Sequence, residues 1–266
     1  MNLRELIDTV RDEGYSQANA EARVCQDIVL KAIDESAFAD HITVKGGVVM
    51  RSITGDARRA TQDMDLDFIR YSLRDDSIRS FVSRLNCLDG VVIQIAGEIE
   101  ELSQQEYHGK RVFITIMDET GYSLRCKIDL GVHKQVQIEQ DEYCFDVCMD
   151  DEGASLLINS KEQIFTEKLR SILRFGPLST RYKDVFDMCY LSDHVDSQRL
   201  EQCIYTYILS DPGMRENDMA TIRKRVQQTF ADRAYHQRLE RSRSSNWMGI
   251  SVSEVLERIT AFLKIL

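Results

Sequence analysis

The residue types able to do chemistry gather in one short stretch. Lys45-Gly46-Gly47 follows the β-branched run Ile42-Thr43-Val44, and Asp63-Met64-Asp65-Leu66-Asp67-Phe68 alternates carboxylates with apolar side chains. In an extended strand alternate side chains share a face, so Asp63, Asp65 and Asp67 would point one way and Met64, Leu66 and Phe68 into a core. Carboxylates on one face repel each other unless water or a cation lies between them. Such a pair can hold one or two Mg2+ (or Mn2+) ions, which bridge the phosphates of a nucleoside triphosphate and stabilise charge on the leaving oxygens. The same alternation also arises on an edge strand with a solvated acidic face. A calcium loop beginning at Asp63 would want glycine at position 68 and glutamate at 74, where Phe68 and Arg74 stand, so that reading fails.

Two further features sharpen the pattern. Gly46-Gly47 lies between a strand and a helical run, where glycine permits a turn and lets phosphate approach backbone N–H groups. Taken singly, such a pair is more often a plain turn. In Ser123-Leu124-Arg125-Cys126-Lys127-Ile128-Asp129-Leu130, alternation places Asp129 on the polar face. On its own that residue reads as a surface acid, but a glycine turn, a D-x-D strand and a later acid in this order are far more specific together. No P-loop or dinucleotide-binding glycine pattern is present.

The elements that must position these groups read as helices first, around Leu3 to Val10 and Ala20 to Ala32. Period-two patterning follows at 42–45 and 64–68, then a helix from Asp75 to Leu85 and strands at Val91 to Ile95, Arg111 to Met117 and Tyr122 to Leu130. Residues 1–150 thus form an α/β or α+β unit with a mixed or antiparallel sheet. Residues 151–266 read as a helical domain. Its helices begin at Ser160 and continue over Arg181 to Ser192, Ser197 to Leu209, Asp218 to Glu240 and Glu254 to Leu266.

With 266 residues, 43% hydrophobic and 29% charged, the chain has ordinary globular composition. Its start lacks a signal-peptide core and no window approaches a membrane span, so a cytoplasmic location is expected. Seven cysteines without a C-x-x-C pair predict buried, reduced thiols, and the five histidines show no metal or triad spacing. A net charge of −10 disfavours broad coating of nucleic acid. Any such contact would be local, and Arg223, Lys224, Arg225, Arg233, Arg238, Arg241 and Arg243 form one candidate patch.

The Gly46-Gly47 turn, the Asp63-x-Asp65 strand and the later acid Asp129 resemble the core signature of the nucleotidyltransferase superfamily. More closely, Lys45-Gly46-Gly47 with Met50-Arg51, then Arg59-x-Thr61-x-Asp63-x-Asp65, then Glu167-Lys168-Leu169 with Arg174, Lys183-Asp184 and Asp187, resemble its AbiEii/AbiGii type IV toxin family, related to the MenT toxins. The resemblance runs from about Lys45 to Leu191 and implies an α+β, nucleotidyltransferase-like mixed or antiparallel sheet with flanking helices, plus a C-terminal helical domain contributing nucleotide or RNA contacts. It implies transfer of a nucleoside monophosphate from an NTP to an acceptor hydroxyl, releasing pyrophosphate. Asp63 and Asp65 would bind the metal, Asp129 would complete the site or take the acceptor's proton, and Gly46, Gly47 and Thr61 would meet phosphate. Lys168 would reach the triphosphate, with Asp187 orienting Lys168 or the base. The implied partners are an NTP, an RNA such as tRNA, and a separately encoded antitoxin. Without that likeness, the charges around Lys168 read as solvated helix faces. Two other functions fit the same residues: a catalytically silent nucleotide- or RNA-binding module, and a two-metal phosphohydrolase or nuclease using Asp63, Asp65 and Asp67.

Overall fold

A computed structural model describes residues 1–102, 109–134 and 138–266. Two compact units divide the chain, Met1–Asn159 and Ser160–Leu266. His108, one of the five histidines, lies outside the described residues.

In the first unit the strands are β1 (Ile42–Lys45), β2 (Met64–Phe68), β3 (Val91–Ile95), β4 (Glu100–Leu102), β5 (Gly109–Asp118), β6 (Ser123–Val132), β7 (Asp141–Phe145) and β8 (Ala154–Ile158). Together they make one mixed sheet in the order β3-β5-β6-β2-β1-β8-β7, with β4 paired to β5. Two of its pairings are parallel, β1 with β8 and β2 with β6; the others are antiparallel. β4, β7 and β8 are strands that periodicity does not predict. β8 is five residues, apolar but for Ser155, and too short for its period to separate strand from helix.

The helices of this unit are α1 (Leu3–Asp12), α2 (Gln17–Asp34), α3 (Gly47–Thr54) and α4 (Asp75–Arg84). Asn2 caps α1 by accepting from the Arg4 and Glu5 N–H groups. Alternate β2 residues Met64, Leu66 and Phe68 are fully buried, and Phe68 meets Phe81 of α4 edge-on at 5.3 Å between centroids. α2 departs from a simple amphipathic helix: Arg23, Gln26, Asp27 and Lys31 are buried along with its apolar residues. Asp27 accepts from Arg23, from Arg51 at 2.8 Å and from the Cys148 N–H at 3.2 Å, which gives a buried charge the partners it requires. Arg51 is therefore committed to the interior beneath α3.

The second unit is helical: α5 (Lys161–Phe175), α6 (Tyr182–Leu191), α7 (Ser197–Ile204), continued by a π-helical turn at Tyr205–Leu209, then α8 (Met219–Ala231), α9 (Arg233–Arg241) and α10 (Val252–Ile265). The expected single helix from Asp218 to Glu240 is two. Asp232 adopts an extended conformation and its side chain accepts from the Tyr235 N–H, capping α9 and ending α8. Ser160 and Ser251 cap α5 and α10 through the Gln163 and Glu254 N–H groups.

All seven cysteines are free thiols, but Cys87 and Cys144 are exposed and Cys148 is half-buried, so the expectation of uniform burial holds only for Cys25, Cys126, Cys189 and Cys203. No helix among the described residues is long and apolar enough to cross a membrane.

Candidate active site

β1 ends at Lys45, and Gly46 turns the chain with φ 66° and ψ −130°, a conformation open to glycine and strained for other residues. Gly47 then opens α3, whose first-turn N–H groups lack intrahelical acceptors. Both glycines are required by close neighbours as well as by the turn. A β-carbon on Gly46 would stand 2.8 Å from Asp65 Oδ2, and one on Gly47 would stand 2.6 Å from Thr61 Oγ1. The turn, Thr61 and Asp65 are thus in contact. Gly46→Ala should cost roughly 1–3 kcal/mol in urea unfolding, combining backbone strain with displacement of the Asp65 carboxylate. An unchanged midpoint would show that this loop relaxes freely.

Strand register brings the acids together. Asp65 pairs with Asp129 across the parallel β2–β6 ladder, Lys45 pairs with Asp65 across β1–β2, and Arg111 pairs with Asp129 across β5–β6. Lys45, Asp65, Asp129 and Arg111 therefore form one row over four neighbouring strands. Asp63 lies just before β2 rather than within it and is exposed. Asp67 is buried and pairs with Lys45 at 2.7 Å.

Three basic side chains hold three of these carboxylates. Besides the Lys45–Asp67 pair, Arg111 binds Asp129 in a bidentate fork at 2.8 and 2.9 Å, and Lys127 pairs with Asp63. Among the described residues, no three carboxylate, imidazole or thiol side chains already stand as a group able to hold a metal ion. Burial pushes the Asp65 carboxyl up to about 6; Lys45 opposes the shift, while Asp129, Asp63 and Asp67 add to it. The oxygen donors suit a hard divalent cation, and this concentration of negative charge is what such a cation would relieve.

Gln26 is a positioning residue that sequence reasoning missed. Its side-chain amide donates to the Thr61 carbonyl at 3.0 Å and to that of Asp63 at 3.3 Å, pinning the segment that enters β2. In sequence it looks like any polar residue on a helix. Arg111 and Lys127 were readable in principle, because both alternate onto the polar face that carries Asp129.

In the second unit Lys168, only 7% exposed, pairs with Asp184 at 2.7 Å and with Asp187 at 2.8 Å. Asp187 is fully buried and accepts from the Trp247 indole N–H at 3.0 Å. These are interior groups, not solvated faces. Lys168 and Asp187 are thus brought together in one unit, while Gly46, Gly47, Thr61, Asp63, Asp65 and Asp129 stand in the other.

The basic patch divides by role. Arg223 donates to the Leu263 carbonyl, Arg225 to that of Leu173 and Arg238 to that of Pro177, so these three serve carbonyls at or near helix ends. Lys224, Arg233, Arg241 and Arg243 are exposed.

No curated protein matches this chain. The crystal structure of an antigenic nucleotidyltransferase-like protein from Paracoccidioides brasiliensis is similar over 77% of this chain and 93% of that one, at 14% identity and a TM-score of 0.47, a likeness too slight to carry an argument. The family model described as "Nucleotidyl transferase AbiEii toxin, Type IV TA system" matches residues 28–256, a span that takes in the glycine turn, the acidic strands and the buried lysine cluster. On that match the chain belongs to the AbiEii nucleotidyltransferase family of type IV toxin–antitoxin systems.

Proposed function

We propose that this protein is a metal-dependent nucleotidyltransferase that moves a nucleoside monophosphate from an NTP to an acceptor hydroxyl on RNA, tRNA included, and that it is the toxin partner of a separately encoded antitoxin. The observation that carries this reading is the register match of Asp65 with Asp129 beside the Gly46 turn. Family membership supports the reaction class.

In this reading Asp65, Asp129 and Asp63 hold Mg2+ or Mn2+, which when bound neutralises charge on the triphosphate and polarises the phosphorus under attack. Gly46, Gly47 and the α3 N-terminus offer N–H groups to phosphate, and Thr61 adds its hydroxyl. Arrangement of fixed donors around developing charge is the main contribution the chain makes. Lys168 is assigned to the triphosphate, with Asp187 and Asp184 orienting its ammonium group. Charge distribution favours the helical unit, residues 160–266, for contact with an RNA backbone: it has 17 basic and 14 acidic residues, whereas residues 1–159 have 17 and 30.

Incubation with each labelled NTP, Mg2+ and total RNA should transfer label to an RNA band that lengthens on a denaturing gel. Shortened RNA would point to a nuclease. Nucleotide binding with no transfer for any of the four NTPs would identify a silent binding module and refute the enzymatic reading.

A further inference from the structure

Three acids of the site are neutralised by the chain itself, and this bears on how metal and nucleotide bind. Arg111 holds both oxygens of Asp129, Lys127 holds Asp63, and Lys45 holds Asp67. Arg111 and Lys127 lie on the same sheet face as the acids, each with a side chain 29% exposed, so neither is locked in by packing. A fork-to-carboxylate pair takes a lone pair on each oxygen, and a metal at the remaining ones would stand beside the guanidinium charge and be repelled by it. Cation and metal therefore compete for Asp129, and for Asp63 in the same way.

We infer that Arg111 and Lys127 are exchangeable counter-cations: they occupy the carboxylates in the free protein, and on metal binding they are released to the anionic triphosphate, so that metal and nucleotide bind cooperatively. The inference rests on the metal-site reading given above. Its physical basis is linkage. Metal alone must displace two ion pairs and leaves two positive groups beside it, whereas a triphosphate bound at the same time gives those groups new partners. The coupling free energy is then carried by residues that need not touch the metal at all. Arginine suits the task because its planar fork matches phosphate as well as carboxylate.

The experiment is a Mn2+ titration followed by electron paramagnetic resonance, using the full-length protein with and without the α,β-methylene analogues of the four nucleoside triphosphates. In these a methylene group replaces the oxygen between the α- and β-phosphorus, so pyrophosphate cannot leave. Without nucleotide, R111Q and K127Q should bind Mn2+ about fivefold more tightly than the unaltered protein. The factor by which nucleotide tightens Mn2+ binding should fall by a similar amount. A merely structural role for either residue would weaken Mn2+ binding, which is the opposite sign. R111K, which keeps the charge but loses the fork, should fall between, and serves if R111Q does not fold. Mn2+ affinity unchanged or weaker in both glutamine variants, while D65N abolishes Mn2+ binding, would overturn this inference and leave the metal site standing. If the unaltered protein binds no Mn2+ under either condition, the metal-site reading fails, and the exchange of cations fails with it.

Discussion

Asp65→Asn should lower label transfer by a factor of about 10³ while making the metal-free protein more stable at neutral pH. The loss follows if Asp65 is the central carboxylate of the site; the gain follows from its surroundings. Burial and three neighbouring acids raise its folded pKa to about 6, above the ordinary 3.8. Between those two values the folded protein binds a proton that the unfolded chain does not, so stability falls as pH rises through that window. Above pH 6 the ionised group costs up to about 3 kcal/mol, at 1.36 kcal/mol per pKa unit. Asparagine removes that cost. The stability difference between variant and parent should therefore be near zero below pH 4, grow between pH 4 and 6, and level off above. Thermal melts in EDTA across pH 4 to 8 would measure it. A variant less stable than the parent at pH 7 would mean that the carboxylate is held by favourable contacts, and that the site is not poised for a cation.

Lys168→Met should be the most damaging single change in the helical unit. It strips a cation from Asp184 and from the fully buried Asp187, which also accepts from the Trp247 indole. Removing one partner of a buried ion pair typically costs about 3–5 kcal/mol, because the remaining charge stays desolvated. Asp187→Asn in the same protein should recover part of the loss, since the uncompensated charge is then gone. Acidification should likewise narrow the gap, by protonating the orphaned carboxylate. Trp247 is the chain's single tryptophan, so its fluorescence reports on this cluster directly. A loss under about 1 kcal/mol with unchanged emission would show that water reaches Asp187 and that the cluster is not a buried network.

How much of this was legible in the sequence depends on how each residue advertises itself. The Gly46 turn, the alternation in β2 and the polar face of β6 follow from local steric and periodic rules, and the structure has all three. The register match of Asp65 with Asp129 was not readable from those rules, because register between strands so far apart in sequence is decided by packing of the whole sheet. Buried polar residues were the least legible. Gln26, Asp27 and Lys168 have the composition of a solvated helix face, and only their partners show that they are interior. The helix break at Asp232 was marked by a capping residue type, but helical apolar spacing on both sides, Ile222 and Val226 before it and Tyr235 and Leu239 after it, concealed it. Family likeness supplied the roles proposed for Lys168 and Asp187, which spacing alone could not.

The two parallel pairings at the centre of the sheet also constrain synthesis. β1 is flanked by β2, its near neighbour in sequence, and by β8, whose pairing register joins Val44 to Ile158. β2 must wait for β6, where Asp67 meets Gly131. A nascent chain that has not emerged past Val132 cannot have assembled the acidic row, and one that stops before Ile158 leaves β1 with an open edge. Closing such distant strand pairs is slow compared with forming local helices. Ribosomes releasing truncated products would therefore yield fragments with an unmade site, and full-length molecules would pass through an interval in which that site does not yet exist.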